Sequence, residues 1–236
     1  MVPLDIHLKG TVFQVLLILG GVFMQTNTKK YVTLAMLSAI AYVVMVFGRI
    51  PVFLFLKLDP KDVIITIGGF IFGPLSAFLV SLVVSLVEMV TVSDTGVIGL
   101  LMNVISTCAF ACIAAFVYKH KRTLTGAVIG LCLGSLAMTA SMLLWNYIVT
   151  PVYMGIAREE VVKMLPTIFL PFNLLKSTLN SALTMLLYKP VVTVLRKSNL
   201  APERETNDKK AFFNFGVLIT SLFVVITCIL LILVNR

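Results

Sequence analysis

The chain has 236 residues, 59% of them hydrophobic and only 12% charged, with a formal net charge of +9 and a mean hydropathy of +1.06. A soluble domain carries about 25% charged residues, so an ordinary water-soluble fold is excluded; disorder, which needs low hydrophobicity, is excluded from the other side. What remains is a polytopic membrane protein.

A helix needs roughly 20 mostly apolar residues to cross the ~30 Å hydrocarbon core, because each residue rises only ~1.5 Å. In chain order, the first apolar stretch is 11–24, after Lys9, and it is short. It reads as a secretory signal with a weak small-x-small cleavage pattern, or as a mis-assigned start over 1–23. On the second reading the chain begins at Met24, followed by the polar run Gln25-Thr26-Asn27-Thr28-Lys29-Lys30. The first full span is 31–48, in which Ala35 and Ala39 are small residues four apart, a spacing that permits close helix approach in membranes. Residues 53–62 are apolar but interrupted by Lys57, Asp59, Pro60, Lys61 and Asp62, and they are too few to span. They read as a lid over a pocket mouth with Leu56 and Leu58 facing inward, or as a segment lying on the membrane, with Asp59 or Asp62 capping the next helix. A short span at 61–73 runs into Gly73-Pro74 and turns back as 74–92; further spans follow at 99–118, 124–148, 168–195 and 212–234. These unbroken runs lack the apolar/polar alternation of a membrane β-barrel, so the fold class is an all-α polytopic helix bundle.

Lys and Arg concentrate in cytoplasmic loops. The clusters Lys119-His120-Lys121-Arg122 and Arg196-Lys197 with Arg204 and Lys209-Lys210 are separated by two spans, so both fall on one side, together with Lys29-Lys30. Arg49 to Asp59, the turn around Ser93 to Gly96 and the stretch 149–167 are then outside. This distribution accounts for the positive charge, and no soluble basic groove or motif points to nucleic acid. Cys108, Cys112, Cys132 and Cys228 all lie in apolar spans and read as packing residues rather than metal ligands. No HExxH, GxSxG, Walker A or CxxC pattern is present, so neither catalytic residues nor a metal site are expected.

An ionisable side chain inside a span costs on the order of 2.5–3.5 kcal/mol on insertion scales and is a functional candidate by default. Lys176 is such a residue, about eight positions into the 168–195 helix and roughly 12 Å along its axis. Asn173 shares its face, and Asn146 lies near the outer end of the preceding span. The three converge on an outward-facing pocket; the alternative is that Lys176 snorkels or pairs structurally with Glu88. An asparagine amide matches the imide-like edge of a pyrimidine or flavin ring, a lysine donates to carbonyls or hydroxyls, and Phe, Leu, Met and Trp145 supply apolar surface.

Together, Ala35 and Ala39, the loop LKLDPKD at 56–62, GGFIFGP at 68–74, WNYIVTPVY at 145–153 and PFNLLK at 171–176 give a pattern that resembles the substrate-binding S component of energy-coupling factor (ECF) vitamin transporters, and among them the riboflavin-binding ones. The resemblance covers about 29–196. It implies a six-helix core in a bacterial cell membrane that takes up riboflavin outside and delivers it inward through a transmembrane coupling (T) subunit and two cytoplasmic ATPases. The chain itself would hydrolyse nothing and hold no cofactor, riboflavin being the transported substrate. By matching motif, Asn146, Asn173 and Lys176 would hydrogen-bond the flavin, Leu56 and Leu58 would close over it, and Ala35 and Ala39 would contact the coupling subunit. Another heterocyclic vitamin, a structural membrane subunit and a membrane enzyme remain as alternatives. The expected organisation is an extension at 1–28, the core at 29–196, a charged cytoplasmic linker at 197–210 and an additional transmembrane helix at 211–236.

Overall fold

The computed structural model describes residues 28–53, 56–200 and 215–234. Helix α1, Thr28–Gly48, leads into an antiparallel hairpin of β1 (Ile50–Phe53) and β2 (Leu56–Leu58), with Ile50 opposite Leu58. Helix α2 (Lys61–Phe72) and helix α3 (Pro74–Thr91) follow. Helix α4 is Gly96–His120, α5 is Leu124–Met154 and α6 is Arg158–Lys197; α7 is Phe215–Val234. Among the described residues, α1, α3, α4, α5 and α6 are long and apolar enough to cross a membrane by length and composition.

Local chemistry sets the breaks. Gly73 adopts φ +95° between α2 and α3, a conformation that only glycine enters readily, and Pro74 opens α3 where its missing N–H is no loss. Thr123 caps α5, its Oγ1 accepting from Gly126 N at 3.1 Å. At the other end, α5 stops on Gly155, which has φ +66°. Two π-helical turns interrupt the long helices, Cys108–Cys112 in α4 and Leu165–Phe169 in α6.

Most expected spans hold to within a few residues, but the α5/α6 connection differs. Helix α5 continues through Pro151 to Met154 and α6 begins at Arg158, so most of 149–167 is helix rather than loop. Proline is tolerated in membrane helices because neighbouring groups and local adjustments re-satisfy the freed carbonyl. Lys176 therefore lies about three turns further along its helix than the sequence suggests. The reading of a start at Met24 and most of the charged linker fall outside the described residues.

Helix α2 occupies the middle of the bundle. Every residue from Lys61 to Phe70 is buried, as expected for a helix surrounded on all sides. Its Gly69 sits so close to neighbours that a Cβ would lie 2.9 Å from Ala115 Cβ and 3.0 Å from Ala77 Cβ. The α4/α5 contact is tighter still. A Cβ on Gly130 would meet Ala114 O at 2.8 Å, and one on Gly134 would meet Phe110 O at 2.5 Å. This small-xxx-small seam lets two backbones approach closely in the absence of a hydrophobic driving force. Beyond the bundle, α7 packs on α6 through a one-sided stripe: Ser221 and Cys228 are buried and Val224 and Val225 half-buried, while Leu222, Phe223 and Ile226 face outward.

Gly134→Ala drives a methyl into a backbone carbonyl that has no rotamer to escape through. We expect it to cost about 1–3 kcal/mol, read as a lower thermal midpoint in detergent, whereas Leu136→Ala on the exposed face of the same helix leaves the midpoint nearly unchanged.

Candidate functional site

The site is organised by charges that the bundle buries. Asp62 is fully buried in the first turn of α2. Its Oδ1 accepts from Thr107 Oγ1 of α4 at 2.6 Å, and its Oδ2 accepts from Asn180 Nδ2 of α6 at 3.3 Å and faces Lys176 Nζ at 3.7 Å. Beside it, Glu88 of α3 receives Lys61 Nζ at 2.5 Å, Asn103 Nδ2 at 2.9 Å and the Arg49 guanidinium. Buried charges survive only when paired and hydrogen-bonded in this way.

These contacts correct the sequence reading in three places. Asp62 does not cap α2: Pro60 occupies the cap position and makes no side-chain bond, because α2 starts inside the protein where Asp62 has better partners. Lys61 belongs to no exposed mouth; it is completely buried against Glu88. The structural partner of Lys176 is Asp62 rather than Glu88, whose oxygens are already engaged by Lys61, Arg49 and Asn103. All three were hidden because Lys61 and Asp62 border a proline-containing loop, where charge is ordinarily solvated. Treating α2 as a buried helix would have exposed them.

Above this layer lies a cavity of about 60 Å³, room for a few waters at on the order of 10–15 Å³ each. Asn146, Asn173, Lys176 and Leu56 all line it, joined by Met102, Met142 and Phe172. Asn146 is held by bonds within α5: Nδ2 donates to Met142 O at 2.7 Å, and Oδ1 accepts from Thr150 Oγ1 at 2.9 Å. Asn173 Nδ2 donates to Phe169 O at 2.7 Å, the last residue of the α6 π-turn. Each amide keeps a second N–H and lone pairs for another partner. Leu58 shares the inward face of β2 but packs beside the cavity, in an apolar cluster with Leu56, Val161, Phe169, Phe172 and Leu179. Trp145 lies outside the cavity wall, against the main core.

The hairpin is pinned from above by an ion pair between Lys57 and Asp94, the latter exposed in the α3/α4 turn. The Lys57 hydrogen bond and charge hold the Asp94 carboxyl below the usual carboxylate range. A carboxylate with a depressed value is ionised throughout neutral pH, so this contact weakens only as pH falls through that lowered value, below about pH 4. Ala35 and Ala39 are not among the residues that line the cavity and stand exposed on α1. Among the described residues, no cluster of three or more His, Cys, Asp or Glu is placed to hold a metal.

Removing one partner of a buried pair strands the other. We expect Asp62→Ala to destabilise the folded protein by about 3–5 kcal/mol, measured by thermal unfolding in detergent. Lys57→Ala, at an exposed pair, shifts the same midpoint little.

Comparison with known proteins gives this geometry a family. Residues 29–188 match the family described as ECF transporter, substrate-specific component. The riboflavin transporter RibU of Streptococcus thermophilus is 32% identical over 80% of this chain and 94% of its own length. RibU of Staphylococcus aureus is 32% identical over 74% of this chain and 95% of its own, and the riboflavin transporter FmnP of Bacillus subtilis is 30% identical over 74% and 99%. A solved structure described as the S component of a bacterial ECF transporter superposes with a TM-score of 0.63 at 29% identity, over 72% of this chain and 99% of that one. The chain is a multi-pass membrane protein and belongs to the substrate-specific components of ECF transporters.

Proposed function

We propose that this chain is the riboflavin-capturing subunit of its transporter. The observation that carries the reading is the meeting of Asn146, Asn173 and Lys176, from two different helices, on one cavity beneath the hairpin. Relatives at 30–32% identity that are named riboflavin transporters support it. The two amides present paired donors and acceptors to the imide edge of the flavin, Lys176 donates to a ring carbonyl, and Met102, Met142, Phe172 and Leu56 flank the ring. A 60 Å³ cavity is far smaller than a tricyclic ring, so the hairpin lifts to admit the ligand and closes through Leu56 and Leu58.

In this reading the chain is a binding subunit and not an enzyme, and it holds no cofactor. A transmembrane coupling subunit and two cytoplasmic ATPases supply the energy. The coupling subunit docks on the exposed face carrying Ala35 and Ala39, which α7 leaves uncovered. The residues before 29 and the stretch after 196, including α7, are additions to the binding core.

Titration of riboflavin fluorescence with the purified protein tests the site. A hydrogen bond to a charged group contributes ~1.5–3 kcal/mol, so Lys176→Ala is expected to weaken binding roughly 10- to 100-fold, and Asn173→Ala by roughly tenfold; unchanged affinity in both removes the assignment. Ala35→Trp combined with Ala39→Trp is expected to leave binding intact and abolish uptake by cells. Uptake at the normal rate places the coupling face elsewhere.

A further inference from the structure

The buried apolar side chains form two clusters among the described residues, and the cavity draws its wall from both. The larger surrounds α2 and includes Met142. The smaller joins the hairpin residues Leu56 and Leu58 to Val161, Phe169, Phe172 and Leu179 of α6, and to Cys228 of α7. Leu183 alone packs against both clusters. Two members of the smaller one, Leu56 and Phe172, also line the cavity. Helix α7, which lies beyond the segment shared with the family, is therefore part of the packing that backs the ligand wall.

The two helices meet along matched stripes. On α7, Ser221, Val224, Val225 and Cys228 stand at i, i+3, i+4 and i+7, one face of a helix, and that face is turned inward while Leu222, Phe223 and Ile226 point away. On α6, Phe172, Leu175, Leu179 and Leu183 form a second stripe that leads from the cavity wall into the cluster holding Val224, Val225 and Cys228. A lipid tail in the place of α7 would be as apolar as leucine, so α7 adds little through removal of surface from water. What it adds is a fixed neighbour in place of a fluid one. Close-packed side chains pass a displacement from one to the next, so movement of Phe172 or of the hairpin leucines is resisted as far as α7.

We propose that α7 is a positioning element of the ligand site: Val224, Val225 and Cys228 hold the α6 stripe behind Phe172, keep Leu56 and Leu58 seated, and thereby slow the release of bound ligand. The proposal rests on the riboflavin reading above and gives a role to a helix outside the binding core.

Release of riboflavin from the purified full-length protein, followed as recovery of flavin fluorescence after dilution, tests this role. The first-order rate constant does not depend on how much of the protein is folded, so a loss of stability alone leaves it unmoved. Val224→Ala combined with Val225→Ala is expected to speed release roughly five- to tenfold while association stays within about twofold, because changes in packing act chiefly on the off-rate. Val225→Ala alone, the milder change, is expected to speed release roughly twofold. Phe223→Ala, on the outward face of the same helix, is expected to leave both rates unchanged. Release at the wild-type rate in both Val225 variants overturns the proposal and leaves the flavin site standing. An equal acceleration by Phe223→Ala also overturns it, since the effect would not then depend on the face packed against α6. Wild-type protein that binds no riboflavin overturns the riboflavin reading and the role of α7 together.

Discussion

A carboxylate buried at the start of a short central helix is the constraint from which the architecture follows. Asp62 on α2 binds Thr107 of α4 and Asn180 and Lys176 of α6, so one side chain ties three helices into a fixed arrangement. Such a group has no affordable unpaired state in a hydrocarbon environment. Its neighbour in sequence, Lys61, points to Glu88 of α3, which in turn holds Arg49 and Asn103. The two adjacent residues thereby organise a layer of charge that runs from the α1 end through α2, α3, α4 and α6. Lys176 owes its position to this layer, and the cavity that it lines sits directly upon it.

The bundle below and the hairpin above contribute differently. Glycine-mediated contacts between α4 and α5, and the packing of Gly69 against Ala77 and Ala115, give the lower part little freedom to rearrange. Among the described residues, the hairpin is held by Leu56 and Leu58 in an apolar cluster, with Val52 packed against it, and by the exposed Lys57–Asp94 pair. Helix α7 follows the segment matched by the family and packs on α6 through Ser221, Val224, Val225 and Cys228. It shares the apolar cluster that holds the hairpin leucines and leaves the α1 stripe of Ala35 and Ala39 open. An extra helix there is compatible with a partner on α1.

The spans were legible because a membrane helix announces itself by length and apolarity, and Gly73-Pro74 marked the α2/α3 break through glycine's positive φ and proline's fixed one. Lys176 was legible for a related reason: a cation inside an apolar run is costly enough to stand out against its neighbours. Asp62, Lys61 and Glu88 were not, because their meaning is carried by pairing across 15 residues or more that no local pattern encodes. The span read over 124–148 ends too early: the helix continues through Pro151 and stops at Gly155, which adopts the left-handed conformation.

The central claim is that the cavity framed by Asn146, Asn173 and Lys176 holds riboflavin. Its most direct test is the visible absorption spectrum of the purified full-length protein after incubation with riboflavin and removal of free ligand. The account predicts a flavin band that stays with the protein in equimolar amount; protein that emerges colourless, with all the riboflavin in the wash, contradicts it.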